Sequence, residues 1–412
     1  MSDHDQRDHH GDEEHQHAQE RAYETTALER ARGALENDPD FIDLVDTNFH
    51  RNGLLYPAGP LSHALAAYPR QRPYAPDPRG SPAAREAIAT YYRERGLHVD
   101  PAQIIITASA SEGYNLVFNR VLEHGQTVSL PRPVYPLFEF IAEFNHLDVE
   151  HNTLELDHRA QPDPERLREE ISADSGLIVA ISPNNPTGTC LEPQSVEAIV
   201  SVARERNLPV LFDEVFSEFR FRGAGAAGAT PEPPAAHVTP AGLADDIVCI
   251  TLNGVSKMFA CPDLKLSWLL VTGPEDLREE LLSVLEIAND MYLNASSVSQ
   301  VVLPTLFAEG GEFQRDMIAE IERRRDLCLA TVAGSPHVEP LRPDGGIHCI
   351  LRVGAERDDE ELALRILEDT KVYTHPGYLY DLEDETALVV SFLKEPAALE
   401  EGLRRITRWF ER

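Results

Sequence analysis

Leu177-Ile178-Val179-Ala180-Ile181-Ser182-Pro183-Asn184-Asn185-Pro186-Thr187-Gly188 is the stretch that decides the fold. Five apolar residues without a polar interruption read as a strand buried on both faces, and the proline- and asparagine-rich run after them reads as a sharp exit. A helix-length segment, 193–207, separates that exit from Val210-Leu211-Phe212, a second apolar run that ends on Asp213-Glu214. Strand, turn, helix and strand in this order build a parallel sheet, and open sheets of that kind bind ligands beyond the carboxyl ends of their strands. Further buried runs at 104–107, 126–130, 247–250 and 268–271 alternate with helical patterns at 82–96, 111–124 and 274–290. We therefore expect an α/β fold, with a large domain whose mainly parallel sheet is covered by helices on both faces. From about 315 the pattern changes to a long helix, strands near 347–353, 372–375 and 388–392, and a last helix near 396–411, which predicts a smaller α+β domain.

The expected organisation is an acidic, His-rich disordered tail at 1–35, a segment at 36–60 that joins the small domain, a large domain at 61–292, and the small domain at 293–412. The first residues are Asp, Glu, His, Gln and Arg with almost nothing apolar, and cannot bury enough surface to order themselves. The tail histidines His4, His9, His10, His15 and His17 imply no fixed ligand geometry, and no metal site is expected. A Pro/Gly/Ala-rich stretch from 223 to about 240 reads as a surface loop.

Charge excludes whole classes of partner. Seventy Asp+Glu against 37 Lys+Arg give a formal net charge of −33, a field that repels nucleic acid and anionic membrane surfaces. No apolar run is long enough to span a bilayer and none at the N-terminus resembles a signal peptide, so a cytoplasmic location is expected. Five dispersed cysteines without metal-ligand spacing read as reduced, buried thiols. The acid excess suits a salt-rich cytoplasm, and equally an ordinary acidic enzyme of a GC-rich genome.

Only four of the basic residues are lysines: Lys257, Lys265, Lys371 and Lys394. Arginine replaces lysine wherever a positive charge suffices, but it cannot form a Schiff base with an aldehyde. Lys257, in Gly254-Val255-Ser256-Lys257, is therefore a candidate covalent anchor. After the strand near 103–108, Ala108-Ser109-Ala110-Ser111-Glu112-Gly113 leads into a helix whose free amides suit a phosphate, although a serine N-cap explains the same residues.

Asn185-Pro186-Thr187-Gly188, then Asp213 at the next strand end, then Ser256-Lys257 at the one after, resemble in order and spacing the fold-type I, class I/II aminotransferases that use pyridoxal 5′-phosphate. Tyr74-Ala75-Pro76-Asp77-Pro78-Arg79-Gly80, Pro131-Arg132-Pro133-Val134-Tyr135-Pro136, Leu264-Lys265-Leu266-Ser267-Trp268 and His375-Pro376-Gly377-Tyr378 resemble most a bacterial branch of that group with uncertain substrate. The resemblance runs from about residue 42 to the C-terminus. It implies that 61–292 binds the cofactor, that Lys257 holds its aldehyde and then moves the Cα proton, and that Asp213 faces the pyridine nitrogen. It further implies that Asn185 bonds the phenolic oxygen, that Tyr135 stacks on the ring, and that Ser109, Ala110, Ser111, Ser256 and Lys265 form the phosphate cup. Tyr74 would reach that cup from a second subunit of a homodimer.

The chain departs from the family pattern in four places. Lys265 stands where many relatives have arginine, Gly254 where many have serine, and Phe216 where most have a tyrosine. In Val389-Val390-Ser391-Phe392, Val389 stands where the typical relative has the arginine that clamps the substrate carboxylate. Arg51, with Gly53 in the same segment, is the best substitute in the sequence. Alternatively the donor has no α-carboxylate, and Val389 lines a less polar pocket. The expected activity is amino-group exchange between an amine or amino-acid donor and a keto-acid acceptor. A lyase catalysing C–S or related β-elimination on the same cofactor is the alternative. A third reading, an aminotransferase-like domain of a transcription regulator, lacks a DNA-binding module ahead of the core.

Overall fold

The computed structural model describes residues 25–71, 75–222, 239–242, 244–293, 295–354, 358–382 and 386–412. The strands in chain order are β1 (Ile42–Asp43), β2 (Ile104–Thr107), β3 (Thr127–Arg132), β4 (Asp148–Glu155), β5 (Gln161–Pro162), β6 (Ser175–Ile181) and β7 (Val210–Asp213). They continue as β8 (Cys249–Gly254), β9 (Ser267–Thr272), β10 (Val338–Pro340), β11 (His348–Val353), β12 (Val372–Tyr373), β13 (His375–Pro376) and β14 (Ala387–Ser391). Eight form the large sheet in the order β2-β9-β8-β7-β6-β3-β4-β5. The pairs β4–β3, β3–β6, β6–β7 and β7–β8 are parallel, and β9 runs antiparallel to both neighbours.

Helices cover both faces because the strands are apolar on both faces. On one, Val179, Leu211 and Ile250 pack against the helices Ala110–Val121 and Glu275–Asp290, through Tyr114, Phe118, Leu282 and Leu285. On the other, Ile178, Val210 and Phe212 meet the helix Pro193–Arg206 through Val196, Ile199 and Val200. In the small domain β10-β11-β14-β13 form an antiparallel sheet, and Cys349, Leu351, Leu388 and Val390 turn one face into a core shared with the helices Gly311–Val332 and Pro396–Phe410. In the segment near residue 42, β1 pairs with β12, Ile42 opposite Val372.

Two expected boundaries move. Residues 1–24 of the expected tail, and nearly all of the expected loop at 223–240, lie outside the described residues. Residues 27–35 are not tail, because Ala27–Leu35 is a helix that Thr26 caps through its side chain. Leu28, Ala31 and Leu35 lie on one face of that helix and pack into the small-domain core. At the other boundary, the helix Ser297–Glu309 belongs with the large domain, since Val302, Leu303 and Leu306 are buried with Ile88, Tyr92 and Trp268. The small domain resumes with the helix Gly311–Val332.

Candidate active site

Asp213 ends β7 and Lys257 lies just past the end of β8, its neighbour in the sheet. Asp213 is 2% exposed; its carboxylate accepts from the Tyr114 hydroxyl at 2.9 Å and from the Val215 amide at 2.9 Å. Burial outweighs both bonds and pushes its pKa up to about 6. A carboxylate held so, with neutral donors on this side of the site, is suited to meeting a cation such as a protonated ring nitrogen. Tyr114, which escaped the sequence reading inside an ordinary amphipathic helix, links this acid to the helix Ala110–Val121.

Lys257 sits between two aromatic rings, with Nζ 5.7 Å from the centroid of Phe49 and 5.8 Å from that of Phe216. Burial lowers the pKa of its ammonium, which favours the neutral amine that attacks an aldehyde. Phe216 packs against this lysine, so its absent hydroxyl leaves an apolar wall there.

The loop after β6 separates its two asparagines by role. Asn184 is a turn residue: its amide donates to the Pro133 carbonyl at 3.2 Å and accepts from the Thr187 amide at 3.2 Å and hydroxyl at 3.0 Å. The Asn185 side-chain oxygen is buried with no hydrogen-bond partner among the described residues. Such an orphan costs about 1–3 kcal/mol until a ligand meets the group. Tyr135, 37% exposed, follows β3 with its ring 6.4 Å from that of Tyr380.

At the start of the helix Ala110–Val121, Ser109 is the N-cap and accepts from the Glu112 amide at 3.0 Å. That leaves the amides of Ala110 and Ser111 in the first turn, where the helix dipole favours an anion. Ser256 is half-buried beside Lys257. Lys265 is exposed and in the left-handed region, φ +48°, one residue before Leu266, whose carbonyl accepts from the Val255 amide at 3.1 Å. Gly254 is glycine for a local reason. A Cβ there would lie 2.3 Å from the Ser267 hydroxyl and 3.0 Å from the Leu266 carbonyl, so Ser267 fills the space of a side chain at 254. Ser267 was not picked out from the sequence, although its pairing with Gly254 across β8 and β9 supplies a hydroxyl at that place.

Arg51 goes elsewhere. Its side chain is 72% exposed and pairs with Asp46 at 2.9 Å, on the rim of a surface cavity of about 610 Å³ shared with Glu29, Arg32 and Lys394. Gly53 takes a left-handed turn at φ +81°. From this segment it is Phe49 that reaches Lys257, pinned by a His50 bond to the Ala260 carbonyl at 2.9 Å. Tyr74 lies outside the described residues.

A buried acid, a lysine of lowered pKa and an orphaned amide at the ends of three neighbouring strands, with free helix-start amides after β2, fit pyridoxal 5′-phosphate, and the whole is a fold-type I aminotransferase. Residues 56–406 match the family model described as aminotransferase class I and II, and the chain belongs to that family. It is similar to a glutamate-pyruvate aminotransferase of Haemophilus influenzae, 24% identical over 340 residues, 81% of each chain. It is also similar to a probable aspartate/prephenate aminotransferase of Aquifex aeolicus, 28% identical over 357 residues, 82% of this chain and 83% of the relative. An alanine aminotransferase from Pyrococcus furiosus shares its fold at a TM-score of 0.85 and 23% identity, covering 93% of this chain and 95% of that one. The protein is a pyridoxal-phosphate-dependent aminotransferase.

Proposed function

We propose that this enzyme moves amino groups between small donors with no second carboxylate and a keto acid, with Lys257, Asp213 and Asn185 gripping the cofactor. The single observation that carries the residue roles is the convergence of a buried acid, an amine of lowered pKa and an orphaned amide at the ends of three neighbouring strands. When bound, the cofactor supplies an electron sink for the charge left when the Cα proton departs. Asp213 holds the ring nitrogen protonated, Asn185 meets the phenolic oxygen, and Tyr135 covers one ring face. The amides of Ala110 and Ser111, with the Ser109, Ser256 and Ser267 hydroxyls and the Lys265 ammonium, hold the phosphate. Lys257 takes the Cα proton and returns it. The lyase alternative uses the same lysine and acid, and the relatives named above are all aminotransferases by name.

Val389 is fully buried, and the one candidate arginine lies out on the surface. An α-carboxylate on the donor would find no arginine at Val389, and Arg51, paired outward with Asp46, does not replace it, so a donor bearing two carboxylates is the least favoured. A donor screen on the purified holoenzyme, following the absorbance change as the amino group is taken up, should show weak or no turnover of aspartate and glutamate. Arg51→Ala should leave KM for every active donor within about twofold, as for a surface pair worth at most about 1 kcal/mol. Vigorous glutamate turnover contradicts the proposed donor class.

The enzyme is further proposed to work in the cytoplasm as a homodimer, with Tyr74 crossing to the partner's phosphate cup. No helix among the described residues is long and apolar enough to cross a membrane. Phe140 and Phe144 on the helix Leu137–Phe144, and Ile287, Met291 and Leu293 around the end of Glu275–Asp290, are exposed and apolar. Such patches favour burial against a second chain. With −33 formal charges per chain, the dimer should dissociate more at low salt than at high salt. Light scattering across a salt series checks this, and a fully active monomer at low salt contradicts it.

A further inference from the structure

The large domain is met by one face of the small antiparallel sheet, and that face is polar in an unexpected place. Register puts His348, Ile350, Val389 and His375 on it together: Ile350 and His375 both pair with Val389, and His348 is two residues before Ile350. Ile350 and Val389 pack with Tyr380 in a cluster against which Leu156 of the large domain lies. The alternate residues Cys349, Leu351, Leu388 and Val390 fill the core on the opposite face.

His348 is 6% exposed and makes no side-chain hydrogen bond among the described residues, and its ring nitrogens are not sealed from solvent, so a ligand can reach them. Burial, then the neighbouring His375 and Lys257, push its pKa down to about 3, so it is a neutral imidazole close to the reactive amine. His375 continues the line: its Nδ1 lies 2.9 Å from the Tyr380 hydroxyl, and burial above all pushes its pKa down to about 4. The Tyr380 ring in turn faces Tyr135, the ring-stacking candidate. The His375–Tyr380 pair thus links this face of the small sheet to Tyr135, while Val389 and Tyr380 themselves are packed into the cluster beneath it. The next cation along this face, Arg352, is engaged with Asp157 at 2.9 Å.

We infer that His348, supported by the His375–Tyr380 pair, is the docking group for the substituent on the reacting carbon, holding it by neutral hydrogen bonds in place of an ion pair. A neutral imidazole offers one donor and one acceptor, so it serves a carboxylate, an amide or a hydroxyl alike. A guanidinium clamp favours the carboxylate strongly. The class of substrate extends from small α-amino acids to their amides and to the matching amino alcohols. This rests on the aminotransferase reading above and refines it at the substrate end.

The test uses holoenzyme and three matched donors, alanine, alaninamide and alaninol, with single-turnover absorbance as the readout. Wild type should take all three with kcat/KM values within about tenfold, since uncharged hydrogen bonds differ by roughly 1 kcal/mol. His348→Leu should raise KM for all three by roughly 3- to 10-fold, more than it lowers kcat, and His348→Asn should recover most of that loss. His348→Arg should shift the preference toward alanine by about tenfold or more. If the His348 variants fail to fold, Tyr380→Phe removes one hydroxyl and should still raise KM several-fold. A wild-type preference for alanine on the order of 100-fold, the mark of an ion pair, overturns the inference, as does an unchanged KM in His348→Leu or Tyr380→Phe. Failure of every donor to convert the cofactor overturns the aminotransferase reading itself.

Discussion

Replacing Lys257 with alanine is expected to abolish the covalent adduct that borohydride fixes in the wild-type holoenzyme. Amino transfer should fall by on the order of 10⁴-fold or more. Two losses combine in that one change, because the same amine is proposed both to anchor the aldehyde and to move the Cα proton. Its environment prepares it for both: with Phe49 and Phe216 as walls and burial lowering its pKa, the amine is poised to attack as a free base. Lys257→Arg should be as inactive, since a guanidinium restores charge and not nucleophilicity. Mass spectrometry of the reduced, digested protein locates the adduct, and a full yield of adduct in Lys257→Ala overturns the assignment. Bound cofactor can persist without the covalent link, so colour is not the measure.

Asp213→Asn should slow Cα deprotonation by several orders of magnitude, with about 3–5 kcal/mol added to the barrier when a buried charged partner is removed. Stability moves the other way in the cofactor-free protein. The folded pKa of Asp213 is raised from 3.8 to about 6, so the native state binds more protons than the unfolded state across that window. Stability therefore falls as pH rises through it, by about two pH units or roughly 3 kcal/mol in all. Asparagine escapes that penalty but has a single oxygen for the two bonds that Tyr114 and Val215 now make, at a cost of about 1 kcal/mol. Apo Asp213→Asn should thus melt higher than apo wild type at pH 8 and no higher at pH 4, while the holoenzyme loses its activity. Equal melting of the two apo proteins at pH 8 would falsify the account of Asp213 as a buried acid awaiting a cation.

Much of this architecture is legible along the chain. The runs 177–181 and 210–212 appear within two residues of β6 and β7, because strands buried on both faces must be continuously apolar. The proposed site residues Asp213, Asn185 and Lys257 stand out along the chain because each ends or follows such a run, at the one end of a parallel strand where ligands bind. The scarcity of lysine made Lys257 stand out further. The helix Ala27–Leu35 was hidden by its acidic neighbours, since three apolar positions over two turns are a faint stripe until a core receives them.

Local order along the chain thus determined the layered sheet, the cofactor class and the residues at the strand ends. Where a side chain went after leaving a loop, or which face of a doubly buried strand it took, was settled only by long-range packing. Arg51 and Phe49 are two residues apart, yet one is held outward by Asp46 and the other reaches Lys257. His348 lies in a run whose neighbours Ile347 and Cys349 are just as buried, so periodicity could not assign its face. Its register against β14 puts that imidazole on the face away from the small-domain core, where burial, then His375 and Lys257, lower its pKa. Ser267 fills the space at Gly254 by pairing across two strands, a relation that no spacing along the chain encodes. Strand ends are fixed by neighbours in sequence, whereas faces, pockets and partners depend on backbone segments that meet only when the sheet and the domains close.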